Sequence, residues 1–178
     1  MQWEYSYFFP AITQSAHVTD WGKQPLKFRT DVAMMGKLGY DIVVSHLNEK
    51  DLQFSQQAVS TYNAIKDVVW HGDLFRLVDP KKNEYAALMF TTKNKTRAIL
   101  FSYLVSNRYG AGSDAPFRLQ GLDPAKKYKV KELNLYPETR TSLKEDQVYS
   151  GEYLMTVGFN PVVNARRTSV VVEIEVVP

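Results

Sequence analysis

The hydrophobic pattern of the chain changes its period at Gly72, and this change restricts the folds that the sequence can adopt. Before this point, Ala58, Tyr62, Ile65 and Val69 recur at spacings of four, three and four, which predicts one apolar face of a helix. Directly after it, apolar residues alternate with a period of two, which is typical of a strand. The sequence therefore predicts a mixed, helical region joined here to a region made almost entirely of strands.

The predicted helix carries recognisable start and stop signals. Asn48 is a favourable N-cap residue, and Asp51 three positions later forms a weaker variant of the capping box. His71 followed by Gly72 is a typical helix end. We therefore expect a long helix that begins after Asn48 and ends at this pair.

The first 45 residues give weaker signals. Residues 16–18 predict a short strand that runs into a polar loop, and residues 30–38 predict a helix with Gly39 at its end. Residues 1–10 are rich in aromatic side chains, and two interpretations stay open: a strand, from their alternation, or a helix that ends before Pro10. Chain termini are usually polar, so we expect this aromatic start to lie inside a larger domain.

The remainder of the chain alternates apolar runs with turn residues. A turn at 79–83 precedes a hairpin formed by residues 84–92 and 96–105, and a glycine-containing loop follows at 106–116. Three more strands are predicted, at 117–119, at 128–133 and at 168–177, and the last of them is expected to be exposed. One short helical turn is predicted at 149–155. Short strands separated by turn chemistry predict an antiparallel β-sandwich, so the fold class is α+β.

Composition excludes several classes of function. The net charge is only +3 and the basic residues are scattered, which argues against a nucleic-acid partner. There is no cysteine, hence no disulfide framework, thiolate metal site or cysteine nucleophile, and no apolar run is long enough to cross a membrane. His46 and His71 are too far apart in sequence to be a ligand pair. We therefore expect no metal and no cofactor.

One compact group of polar and aromatic residues is a candidate binding site: His17, Asp20 and Trp21. In one interpretation Trp21 stacks on a sugar or other small ligand while the polar pair bonds its hydroxyl groups. In the other, the histidine lies in a loop, the aspartate caps a helix and the tryptophan belongs to the core. Elsewhere, Glu173 and Glu175 share one strand face, which we interpret as a solvated face and not as a catalytic carboxylate pair.

Six runs of residues, spread over nearly the whole chain, occur together in one enzyme family: 14–19 (QSAHVT), 25–34 (PLKFRTDVAM), 36–41 (GKLGYD), 72–77 (GDLFRL), 121–124 (GLDP) and 151–155 (GEYLM). In this combination the chain resembles the family 36 glycoside hydrolases, the melibiase-type α-galactosidases. The first three runs resemble the end of the family's catalytic barrel, and the others resemble its C-terminal domain.

The resemblance implies a layout. It implies that the whole enzyme would consist of an N-terminal β-sandwich, a (β/α)₈ barrel and a small C-terminal antiparallel β-sandwich. Residues 1–69 would be the end of the barrel and residues 70–178 the C-terminal sandwich. Residues 1–9 would then be the tail of the seventh barrel helix, and residues 16–18 the eighth barrel strand. The following loop would lie at the face where barrel enzymes have their active sites, which favours the sugar-binding interpretation of His17 and Trp21.

The resemblance also implies a function for the parent enzyme, which is hydrolysis of terminal α-linked galactose with retention of configuration. Such chemistry requires two carboxyl groups about 5–5.5 Å apart. Both are expected upstream of residue 1, so no catalytic residue is assigned here and the chain alone is expected to be inactive. Its partners would be α-galactoside oligosaccharides bound through the parent enzyme. Two alternatives stay open: a carbohydrate-binding module, and a structural domain that contacts other subunits in a homo-oligomer.

Overall fold

The computed structural model describes residues 2–106 and 116–177, so most of the loop predicted at 106–116 lies outside the described residues. The chain divides into two compact units. We call them the helical unit, Met1–His71 with Asn134–Arg140, and the sheet unit, Gly72–Leu133 with Thr141–Pro178. None of the helices in the described ranges combines the length and the apolar composition needed to cross a bilayer.

In its described residues the helical unit contains three α-helices, two short 3₁₀ helices (Ala11–Thr13 and Val44–His46) and one pair of parallel strands. The strands pair in register over their whole length, with His17 opposite Gly39. A helix connects them, which is the arrangement that parallel strands require. In chain order the elements are α1 (Gln2–Tyr5), β1 (Ser15–Thr19), α2 (Leu26–Ala33), β2 (Lys37–Asp41) and α3 (Glu49–His71).

The strand predicted at 16–18 is confirmed as β1, and residues 2–5 are helical, so the alternative of a strand at 1–10 is wrong for the residues that the structure describes. The helix predicted at 30–38 is misplaced. It begins at Leu26, directly after Pro25, because proline has a fixed backbone angle that suits the residues at a helix start. Gly39, expected at the helix end, instead lies in β2.

The long helix α3 follows the prediction closely. The Asp51 backbone NH donates to Asn48 Oδ1 at 2.9 Å, so Asn48 caps the helix, and Asn48 Nδ2 donates to Asp51 Oδ2 at 2.8 Å, which holds the capping side chain in place. The helix ends at His71. Its buried face contains the four residues of the predicted apolar stripe together with three others: Phe54, Ser55, Ala58, Tyr62, Ile65, Val68 and Val69.

The sheet unit is built on one six-stranded sheet in which all neighbours are antiparallel, with the order β3-β4-β5-β8-β6-β7. The predicted hairpin is confirmed as β4 and β5. In chain order the elements are β3 (Asp73–Val78), β4 (Tyr85–Thr91), β5 (Arg97–Leu104), β6 (Lys127–Leu133), β7 (Val148–Ser150), α4 (Gly151–Thr156) and β8 (Ser169–Val176).

One hydrophobic cluster of the sheet unit lies on one face of this sheet. Side chains from the connecting segments and from α4 cover that face: Phe117, Leu119, Leu122, Leu154, Phe159 and Val163. Phe117 and Phe159 form a single bridge where a short strand was predicted. The unit is therefore a sandwich-like antiparallel sheet domain whose second layer, in the described residues, is made of loops and one short helix.

The last strand is not exposed, contrary to the expectation for residues 168–177. β8 lies between β5 and β6, and Val170, Val171 and Val172 are fully buried. An uninterrupted run of β-branched residues is typical of a strand that is covered on both faces. The three valines therefore place the strand inside the sheet, although the two glutamates that follow would favour an exposed position. The Glu173 side chain is only 16% exposed and forms an ion pair with Arg97, whereas Glu175 is exposed, so the predicted solvated face is found only at the second of the two glutamates.

Candidate functional site

A shallow depression of about 160 Å³ lies at the carboxyl end of β1 in the helical unit. It brings together two of the three predicted residues, His17 and Trp21, and excludes the third, Asp20, from its lining. The wall is completed by residues from β1, from the loop that follows and from α2: Thr19, Gly22, Gln24, Phe28, Arg29 and Val32.

Strand β1 presents His17 because burial alternates along it. Ala16 and Val18 are buried, whereas His17 between them is exposed. The imidazole lies over Gly39 of β2, where a Cβ atom would come within 2.9 Å of His17 Cδ2. A side chain at this position of β2 would therefore displace the ring, so the glycine leaves the space that the histidine occupies.

The loop after β1 exposes Trp21, whose residue is 85% accessible to solvent. A core role for this tryptophan is therefore wrong. The next residue, Gly22, has a φ of +119°, which non-glycine residues rarely adopt. The loop turns sharply at this point and leaves the indole on the surface beside the depression.

Arg29 holds the loop from the side of α2. Its Nη1 donates a hydrogen bond to the Thr19 carbonyl, and the same atom lies 3.6 Å from Asp20 Oδ1. Asp20 therefore has a partner on the protein and lies outside the pocket lining. Phe28, Arg29 and Val32 share one face of α2 because they are separated by one, three and four positions. This face of α2 was not predicted from the sequence, because the helix begins at Leu26 and its predicted start lay four residues later.

The depression offers an aromatic surface, a guanidinium group and an imidazole, which suits binding of a small polar ligand with some apolar surface. None of its lining residues carries a carboxyl group. His46 is exposed and the His71 imidazole contacts the Asp67 carbonyl at 3.2 Å. No group of three or more metal-ligating side chains occurs in the described part of the chain.

A model of the glycosyl hydrolase family 36 C-terminal domain matches residues 85–174, which are 90 of the 178 residues. The chain belongs to glycosyl hydrolase family 36. The matched region runs from the start of β4 to β8 and so contains most of the sheet unit. The resemblance inferred from the six short sequence runs is thereby confirmed.

Curated relatives extend the match into the helical unit. The chain is 30% identical over 145 residues to the α-galactosidase AgaA of Geobacillus stearothermophilus, covering 76% of this chain and 19% of the relative. It is 27% identical over 183 residues to α-galactosidase 2 of Hypocrea jecorina, and this match covers 98% of this chain and 22% of the relative. The chain thus spans about a fifth of the length of the curated relatives that it matches.

Solved family 36 structures match the fold over nearly the whole chain. The α-galactosidase AgaB of Geobacillus stearothermophilus superposes with a TM-score of 0.82 at 27% identity, covering 99% of this chain and 23% of AgaB. A variant of AgaA from the same organism, solved in complex with raffinose, superposes with a TM-score of 0.84 at 26% identity. This match covers 99% of this chain and 24% of the AgaA chain. The C-terminal antiparallel sheet domain of the family is therefore present here.

Proposed function

We propose that this chain is the C-terminal part of an α-galactosidase that hydrolyses terminal α-linked galactose with retention of configuration. The observation that carries the proposal is that two α-galactosidases match this chain over 76% and 98% of its length, so neither match is confined to the sheet unit. The two carboxyl groups required for retention would come from upstream of residue 1. The substrates would be oligosaccharides that end in α-linked galactose.

Two features of the helical unit support the assignment of residues 1–69 as the end of a (β/α)₈ barrel. β1, α2 and β2 form a parallel strand–helix–strand unit, and barrels of this class repeat such units. Exposed aromatic side chains are concentrated in the same unit: Tyr5, Tyr7, Phe8, Phe9 and Trp21. Exposed apolar surface of this kind typically marks a contact with further protein or with a ligand.

We propose that the depression forms one edge of the sugar pocket. It lies at the carboxyl end of β1, and the carboxyl ends of barrel strands carry the active sites of this architecture. Trp21 would offer its ring face to the ligand, and His17 and Arg29 would bond hydroxyl groups. Asp20 would act indirectly, through its contact with the Arg29 guanidinium.

Replacing Trp21 with alanine in the full-length enzyme is expected to raise KM about two- to tenfold, because stacking of an aromatic ring contributes about 0.5–1.5 kcal/mol. The side chain is 85% exposed, so the free energy of unfolding should change by less than about 0.5 kcal/mol. Steady-state kinetics with raffinose and chemical denaturation measure the two quantities. Trp21→Phe, which retains a ring, is the matched control and should keep KM close to that of the wild type. An unchanged KM in Trp21→Ala would remove this residue from the pocket.

Hydrolysis of a nitrophenyl α-galactoside by the full-length protein tests the proposed activity. Proton NMR of the first product distinguishes retention, which releases α-galactose first, from inversion. Release of the β anomer, or no release, would contradict the proposal.

We propose a structural role for the sheet unit. Among its described residues, the large exposed hydrophobic side chains include a single aromatic one, Tyr153, which stacks on Tyr149 at a centroid distance of 5.8 Å. A sugar-binding surface on a sheet would be favoured by a row of exposed rings, and one ring gives little area for stacking. The structural interpretation is therefore preferred to that of a carbohydrate-binding module.

A further inference from the structure

The two faces of α2 have different surroundings. Phe28, Arg29 and Val32 are half-buried and line the depression. Thr30 and Asp31, which do not belong to that lining, have no exposed surface at all. The helix has only eight residues, too few to be stable alone in water, so its position depends on its contacts with other segments of the chain.

Asp31 provides those contacts. Its Oδ2 atom accepts a hydrogen bond from Lys27 Nζ at 2.5 Å, one helical turn earlier, and its Oδ1 atom accepts one from Asn134 Nδ2 at 2.6 Å. A hydrogen bond to a buried carboxylate is stronger than a neutral one, and a buried carboxylate is costly without partners. Asn134 is 103 positions away in sequence, so this bond ties α2 to a distant segment.

Asn134 begins the segment Asn134–Arg140, which follows β6 but belongs to the helical unit. Its φ is +54°, a left-handed conformation that asparagine tolerates better than most residues. Further along, Tyr136 Oη donates to Asp51 Oδ1 at 2.8 Å, and its ring packs on Phe54 with a centroid distance of 5.3 Å. Burial, and then the bond to Asp51, raises the pKa of Tyr136, so the phenol remains a donor. One segment thus contacts α2 through Asn134 and α3 through Tyr136.

We infer that Asn134 and Asp31 are positioning residues for the sugar pocket. Their hydrogen bond fixes the position of α2, so that Arg29 of the same helix can hold the Thr19 carbonyl and the loop that carries Trp21. The inference rests on the proposed function of the depression. Neither residue lines the depression, so both act only through α2.

Four variants separate positioning from general stabilisation. Asn134→Gly removes the amide donor while keeping a residue that accepts the left-handed backbone. Asn134→Asp places a second carboxylate against Asp31, and adding Asp31→Asn restores an amide–carboxylate pair with the roles exchanged. Tyr136→Phe is the matched control, because it removes a hydrogen bond of the same segment to α3 and leaves the contact with α2 in place.

Hydrogen exchange of this chain reports the position of α2 without any activity. Asn134→Gly should increase the exchange rates of the α2 amides about tenfold, whereas Tyr136→Phe should leave them within about twofold. Equal acceleration by both variants, or none by Asn134→Gly, would overturn the inference.

Kinetics of the full-length protein test the consequence for the pocket. Asn134→Gly should raise KM for raffinose at least about threefold, with kcat within about twofold, and Asn134→Asp should raise it further. The combination of Asn134→Asp with Asp31→Asn should return KM toward the wild-type value, and Tyr136→Phe should leave it unchanged. An active wild type whose KM is insensitive to Asn134→Gly would refute the positioning role. A wild type that hydrolyses no galactoside would refute the proposed function instead, and the exchange result would then stand by itself.

Discussion

Replacing Arg167 with leucine is expected to lower the free energy of unfolding by about 3 kcal/mol. Arg167 Nη2 donates to Glu132 Oε2 at 2.7 Å, and the glutamate side chain is only 2% exposed. Glu132 lies on β6 opposite Val172 of the central strand β8, where water cannot readily replace the lost partner. Removing one member of such a pair leaves a buried charge, which typically costs about 3–5 kcal/mol, and the partial exposure of Arg167 favours the lower end of that range.

Denaturant unfolding of Arg167→Leu, compared with two other variants, measures this cost. Arg166→Leu is the neighbouring control, because Arg166 is exposed and a surface substitution should change stability by less than about 0.5 kcal/mol. Combining Arg167→Leu with Glu132→Leu should recover most of the loss, since no buried charge then remains. A double variant as unstable as the single one would show that packing of the arginine, and not its charge, is what matters.

Replacing Gly151 with alanine is expected to destabilise the sheet unit by about 3 kcal/mol or more. A Cβ atom there would lie 2.0 Å from the Asp123 carbonyl oxygen and 3.0 Å from Tyr128 Cε2. Overpacking of this kind usually costs about 1–3 kcal/mol, and a clash with backbone belongs at or above the upper end. The clash cannot be relieved cheaply, because Gly151 N donates to the Lys126 carbonyl at 2.9 Å and Asp123 N donates to Tyr128 Oη at 2.9 Å.

The sign of the Gly151→Ala effect is informative, because helix propensity alone predicts the opposite. Gly151 is the first residue of α4, and alanine is favoured over glycine in helices by up to about 1 kcal/mol. Thermal unfolding compares this variant with Glu152→Ala, an exposed position in the same turn that should have little effect. Equal or greater stability of Gly151→Ala would mean that the Asp123 turn moves away freely.

The elements predicted correctly are those whose information is local. α3 follows from its Asn48 cap and apolar stripe, and the β4–β5 hairpin follows from two apolar runs around a polar turn. The predicted start of α2 is wrong because the helix begins directly after Pro25, and Gly39, expected at its end, lies in the next strand. The burial of β8 depends on its place between two strands that are distant in sequence, and hydrophobic alternation does not specify strand order.

In the candidate site, too, the residues predicted correctly are those with a local signal in the sequence. His17 and Trp21 were identified because a compact group of polar and aromatic residues is visible in the sequence. Arg29 was missed because its contact with Thr19 depends on where α2 begins. Asn134 could not have been found, because its bond to Asp31 joins residues 103 positions apart and only the folded chain brings them together.

Hydrolysis of a nitrophenyl α-galactoside, measured in parallel for this chain and for the full-length protein read upstream of residue 1, tests the proposed function most directly. We expect turnover by the full-length protein and none by the chain alone, because the lining of the depression contains no carboxyl group and retention requires two. Turnover by the isolated chain, or an upstream sequence that supplies no barrel with a pair of carboxyl groups, would contradict it.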